Sequence, residues 1–533
     1  MSVSDMFEAC VAGDLPSVRR MLDGGFDIET PLKSKATAII IAAANDHSNI
    51  ISLLMDKGAD IEARDHEEDT ALTVAARFGK EAAVRVLIER GAFINVRDNA
   101  GATALMYAAG RGHDSIVSFL LERGADAALC DADGDSALMY TALKDQPGAA
   151  AALLARGVPL ETQNGKGLSA LNLAAMVGAT EVARLVLDHG ADMESRSRSL
   201  LTPLMTAAIK GHIDVVKLLL ARGADAFAVD DDGDSPLCLA ARFGFIEIAK
   251  VFLELGADIN QTNKKGATPL MVAAATEHPD MVTFLASRGA DLESADVDEE
   301  TALSLAARFG KHAAVRALAA AGANLECRDK IKMTPLHIAS AKGEVASVAA
   351  LLGCGANIEA KDQDADTPLT IASRYGHVAV IDLLLDNGAD LEAHDKNGVT
   401  SVTVAALRGE IQAVEALIMR GADLEAPNRL GRTASDVLRE KLGEDAVNIV
   451  ADARERASKP EFIALQTVRA SAAVRITQVE QQLLRESRAR SATEKTLASV
   501  LARLARLEAA AGVEGTPSGA GAAGAGCDDN NNA

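Results

Sequence analysis

The residues of this chain that could do chemistry are ten histidines, six cysteines and a surplus of carboxylates, 76 Asp and Glu against 54 Lys and Arg. Catalysis or metal binding would need them clustered at motif spacings. No H-E-x-x-H, no G-x-x-x-x-G-K-[ST] and no nucleophile elbow occurs in the sequence. Cys10, Cys130, Cys238, Cys327, Cys354 and Cys527 include no C-x-x-C pair and no zinc-ligand spacing. They read as reduced thiols, which points to the cytoplasm or the nucleus. His47, His113, His212, His278 and His377 fall at one recurring position, the mark of a repeated unit rather than of ligands. No catalytic group, cofactor site or metal site is read, and the chain is expected not to be an enzyme.

A second pattern carries recognition chemistry. Four Arg-aromatic pairs, Arg77-Phe78, Arg242-Phe243, Arg308-Phe309 and Arg374-Tyr375, each follow an acidic segment ending in Asp69, Asp234, Glu300 or Asp366. Arg and aromatic rings dominate interface hot spots, and carboxylates select basic partners. Aromatic residues make up only 3% of the chain and Trp is missing, so four rings at one register position are more than chance would place there. Basic segments (RSRS at 196–199, NKKG at 263–266, DKIK at 329–332, DKNG at 395–398) alternate strictly with the acidic ones from 197 to 395. Two readings stay open: a partner-binding comb, or a self-neutralising one in which each acidic tip pairs with its basic neighbour and with the nearby Arg, exposed pairs that contribute only about 0–1 kcal/mol each. Residues 37–98 and 268–329 share 30 of 62 positions, so the alternation also fits duplication of a two-repeat block.

The elements that position these residues follow from a period of 33. A glycine recurs at 25, 58, 91 and every 33 residues up to 421 without an insertion, and each is followed twelve residues later by Ser or Thr. A hydroxyl before an apolar stretch caps a helix N-terminus. Pro203, Pro236, Pro269, Pro335 and Pro368, next to their caps, suit the first helical position, where no amide donor is needed. A Leu and paired Ala follow, then a turn glycine (Gly79, Gly112, Gly178, Gly211), then a second helix such as HIDVVKLLLARG at 212–223. Asp145 stands where that turn glycine belongs, and with Pro159 marks 145–160 as a weak joint or drift.

These motifs, with TPLHIASAKG at 334–343, resemble the ankyrin repeat over about residues 5–440. The resemblance implies an all-α solenoid of helix pairs with projecting hairpin loops, and ligands meeting the hairpin tips and the ends of the inner helices. Arg77, Phe78, Asp69 and their counterparts occupy those places. The expected organisation is an N-terminal capping repeat and first loop at 1–36, twelve repeats at 37–432, a terminal capping repeat at 433–455, a helical or coiled-coil segment at 456–511 and a disordered tail at 512–533.

In the C-terminal segment Phe462, Leu465, Ala472, Ile476, Val479 and Leu483, then Leu497, Val500, Leu504 and Leu507, follow a seven-residue rhythm that lapses at Glu486, Arg490 and Thr493. Two helices, about 460–487 and 492–511, are expected. They would either dimerise the chain through 460–511 or fold back on the last repeat. No apolar run is long enough to span a bilayer, and the acidic N-terminus lacks the pattern of a secretory leader. A net charge of -22 disfavours bare nucleic acid, with 459–511 the one basic stretch that could bind it. The function read is a scaffold or adaptor holding a protein or extended peptide. The alternatives are a regulatory or targeting arm of an enzyme complex and, behind it, nucleic-acid association through 459–511. No small-molecule substrate is implied, and the partner surface is expected to favour basic segments.

Overall fold

In the computed structural model, residues 2–510 are described apart from 33, 277 and 444, and apart from the side chains of 442, 487 and 490–510. The described residues form 29 helices and no strand. Most hydroxyl caps act as expected: Thr70 Oγ1 accepts the Thr73 amide at 3.3 Å and Thr202 Oγ1 that of Met205 at 3.3 Å, whereas the Thr37 and Thr400 hydroxyls accept no such amide. Each cap opens a short inner helix, such as Pro203–Lys210, and a tight turn leads to an outer helix, such as Ile213–Ala221. Inner helices stack on inner helices and outer on outer. The Ala pairs make this close approach possible, Ala42-Ala43, Ala75-Ala76 and Ala207-Ala208 being fully buried. One continuous apolar core runs from Met6 to Ala453. With almost no rings inside it, the core relies on close contact of small side chains, as the composition implies.

Three hydrogen-bond ladders explain why the period tolerates no insertion. Neighbouring hairpin tips are tied through backbone, as in Ala132 N to Ala100 O at 2.8 Å and Lys264 N to Asp232 O at 3.0 Å. A Glu or Asn in most loops accepts an amide 31 residues on, as Glu62 does from Phe93 at 2.7 Å and Asn95 from Asp126 at 2.9 Å. The recurring histidines reach back 36 residues to the carbonyl ending the previous inner helix: His47 to Val11 at 3.0 Å, His212 to Met176 at 3.1 Å, His377 to Ala341 at 3.0 Å. A one-residue insertion would break all three at once. The His ring lies over the previous turn glycine. At Gly178, with φ +82°, an added Cβ would sit 2.5 Å from His212 Nδ1.

Asp145 takes the left-handed conformation of the glycine it replaces, with φ 53°, and the helices on either side stack as elsewhere. A side chain there costs about 1 kcal/mol, so Asp145→Gly should raise stability by about that amount in urea unfolding. An unchanged or lowered midpoint would contradict the strain.

The C-terminal segment differs from the two-helix expectation: a single helix spans Pro460–Ala510. Loss of apolar rhythm does not end a helix, and Gly or Pro is missing from 461–510. The helix folds back along the outer helices His312–Ala321, Val345–Cys354 and Val378–Asp386. Glu480 pairs with Arg316 at 2.7 Å, Thr477 donates to Asn387 Oδ1 at 3.0 Å, and Arg488 donates to the Ala319 carbonyl at 2.8 Å. Gly353, inside an outer helix, makes room for Glu480, whose Oε2 would lie 1.7 Å from a Cβ there. The tail expected at 512–533 lies outside the described residues.

Candidate functional site

Hairpin tips and inner-helix ends together line one side of the array. At each acidic tip, the first Asp closes the turn with its own carboxylate. Asp65 Oδ1 accepts the amides of Glu67 at 2.8 Å and Asp69 at 3.0 Å, and Asp230 does the same for Asp232 and Asp234. This turn directs the last carboxylate of the tip inward, just ahead of the cap.

The twelve residues expected on one partner-facing surface separate into three sets of four. Asp69, Asp234, Glu300 and Asp366 are at most 3% exposed. Each is held by the Arg of the same inner helix. Arg77 Nη2 lies 2.7 Å from Asp69 Oδ2, Arg308 Nε donates to Glu300 Oε1 at 2.9 Å, and Arg242 and Arg374 pair with Asp234 and Asp366. The carboxylates are therefore internal supports in this structure, because burial leaves them no face to offer a partner. Phe78, Phe243, Phe309 and Tyr375, one residue beyond each Arg, are 41–54% exposed. The four Arg lie between, part-buried.

The self-neutralising reading paired the acidic tip with the nearby Arg but took the pair as exposed, whereas the acid eight residues before each Arg is buried. The signal of this coupling was available: the two positions change together. They hold Asp69/Arg77, Asp234/Arg242, Glu300/Arg308 and Asp366/Arg374 in four repeats, but Leu168/Met176, Leu201/Ile209, Ala267/Ala275, Met333/Ala341 and Val399/Leu407 in five others. Asp135 is the exception, facing Leu143 and receiving instead the Asn164 amide at 2.8 Å. Repeats with an ion pair alternate with repeats that have an apolar pair in the same place.

Burial pushes the Asp69 and Asp366 carboxyls up to about 6, with Arg77 and Arg374 offsetting it only in part. A folded-state value above the ordinary 3.8 means that the native protein takes up these protons first as pH falls through 6. Stability should then rise between pH 7.5 and 5. His337, buried and held below its ordinary value by desolvation, works in the opposite direction below pH 6.5. The effect is therefore isolated by difference. Urea midpoints of the native chain should gain more between pH 7.5 and 5 than those of Asp69→Asn/Asp366→Asn, and an equal change in both would refute the assignment.

Farther out, adjacent tips neutralise each other: Lys330 Nζ lies 3.3 Å from Asp298, Lys264 3.8 Å from Asp231, and Lys396 contacts Asp364. These pairs are exposed, and the outer acids keep solvent-facing oxygen. Mid-array, tips 198–199 and 230–232 enclose a pocket of about 420 Å³ with Leu201, Ile209 and Leu239 on its floor and Phe243 at its edge. Under it lies a small apolar cluster, Met205, Ala228 and Leu239, separate from the main core. Among the described residues no group of three or more His, Cys, Asp or Glu could hold a metal, and no helix is long and apolar enough to cross a membrane.

A stacked array of capped helix pairs, with tied hairpin tips and a lined face, is a repeat solenoid of the kind that binds proteins along one surface. The chain belongs to the ankyrin-repeat family: the family model, ankyrin repeats in three copies, matches residues 6–98, 94–164, 148–230, 204–296, 290–362 and 347–428. Comparison with curated proteins finds no match. Ankyrin repeats are protein-protein interaction modules.

Proposed function

We propose that the protein is a non-enzymatic scaffold or adaptor that holds an extended segment of a partner protein against the inner helices, gripping it through Phe78, Phe243, Phe309 and Tyr375. The observation that carries this reading is the exposure of four rings at one register position in a chain otherwise poor in aromatics, each next to an Arg fixed by a buried carboxylate. Phe243, Phe309 and Tyr375 recur every second repeat, about 20 Å apart with helices ~10 Å apart. An extended chain covers that distance in roughly six residues. The fitting partner carries apolar or aromatic anchors at that interval with Lys or Arg between them, the latter meeting exposed tip acids such as Glu67, Asp231 and Asp298. An arm of an enzyme complex would use the same groove and differ only in its partner. No observation favours nucleic acid over protein. The described cysteines are unpaired, in keeping with a reducing compartment, the cytoplasm or the nucleus.

Selection of a displayed random-peptide library on the full chain tests this. Enrichment of anchors about six residues apart, interspersed with basic residues, is expected. Recovery of no such pattern would contradict the reading.

A further inference from the structure

The C-terminal helix is mounted in an unusual way. An amphipathic helix ordinarily buries its apolar stripe, but Pro460–Ala510 turns a mixed face inward, Phe462, Gln466, Ala470, Ala473, Thr477, Glu480 and Leu484, all part-buried. Leu465, Val468, Ile476, Val479 and Leu483 are 48–65% exposed instead. With the small, exposed Ala472 they are spaced 3, 4, 4, 3 and 4 residues apart, so the pattern returns after eleven. Eleven residues are close to three whole turns of an α-helix, so the stripe runs straight for about 27 Å instead of winding round the helix.

Something of matching shape should cover it. Residues 511–533 offer little to do so, with Val513 their one aliphatic side chain larger than Ala. The outer helices are already in contact with the other, mixed face. A second copy offers the same straight apolar stripe, and a two-fold contact needs only a patch complementary to itself. The exposed stripe amounts to about 500 Å² per copy, or roughly 1,000 Å² in a pair, at the lower limit of a specific interface.

We infer that the protein self-associates as a concentration-dependent dimer through the stripe Leu465–Val468–Ala472–Ile476–Val479–Leu483 of its C-terminal helix. The helix rides on the outer helices, away from the inner helices and tips, so pairing leaves both ring-lined faces open. The dimer presents two binding faces, and a partner carrying two copies of its motif gains avidity from them.

Sedimentation equilibrium on the full chain from about 1 to about 100 µM, the range in which an interface of this size associates, is the test. The mass should climb from 55.3 kDa toward twice that value. Ile476→Glu/Val479→Glu should stay monomeric throughout. Ile463→Glu/Val474→Glu, which alters exposed apolar residues on the opposite side of the helix, should dimerise like the native chain. Three results would each overturn the inference: a native chain fixed at 55.3 kDa, a stripe variant that dimerises normally, or equal loss in both variants. None of them bears on peptide binding by the inner face.

Discussion

Arg374→Met should destabilise its inner helix, Pro368–Arg374, by about 3 kcal/mol, and adding Asp366→Val should restore most of that loss. The single change leaves a fully buried carboxylate without its cation, which is costly in an interior where water cannot replace the partner. The double change removes both charges. Replacing a buried pair by apolar groups of similar size is often neutral, because the pair's Coulomb attraction is largely spent on desolvation. Two features of this molecule support that outcome. The Asp366 carboxyl is pushed up to about 6 even beside Arg374, so the charged pair sits under strain. In addition, the next repeat holds the apolar pair Val399/Leu407 at the same two positions. Long repeat arrays need not unfold in one step, so amide exchange within Pro368–Arg374 is the appropriate readout. Equal destabilisation in the single and double variants would show that the pair contributes a net favourable interaction after all.

Phe243→Ala/Phe309→Ala should weaken a library-selected peptide roughly 1,000-fold, taking about 2 kcal/mol for each hot-spot ring and 1.4 kcal/mol per decade. The same double variant should change stability by no more than about 1 kcal/mol in total, since each ring is about half exposed. Opposite outcomes for binding and stability are the signature of a contact surface. A matched loss of stability with unaltered binding would assign the rings to the fold, as the self-neutralising comb reading holds.

Much of the fold was legible because it is local. The 33-residue glycine spacing, the Ser or Thr cap, proline at the first helical position and the turn glycine each impose a backbone conformation on their own neighbourhood, and the period repeats it. The recurring histidines were read as part of the repeated unit, but what they do there, a bond to a carbonyl 36 residues back, depends on stacking that one repeat does not encode. The site was half legible. Phe78 and its counterparts do face solvent, whereas Asp69 and its counterparts were placed there too, because an acidic tip looks uniformly exposed in one dimension. Only comparing positions eight apart across all repeats shows that acid and Arg come and go together. The C-terminal helix was misread at its middle, where a lapse of apolar rhythm was equated with a break. Its docking face stayed hidden because Phe462 falls in the same seven-residue rhythm as the exposed stripe, while Gln466, Thr477 and Glu480 carry no apolar signal and their complement, Gly353, lies over a hundred residues upstream.

The central claim is that a partner lies along the tips and inner-helix ends and is held there by the rings. Amide exchange of the full chain with and without a library-selected peptide tests it most directly. Bound peptide should protect the tips 230–234, 296–300 and 362–366 and the last turns of Pro236–Arg242, Ala302–Arg308 and Pro368–Arg374, with the outer helices Ile246–Glu254 and His312–Ala321 unchanged. Protection confined to the outer helices, or protection that survives Phe243→Ala/Phe309→Ala, would contradict it.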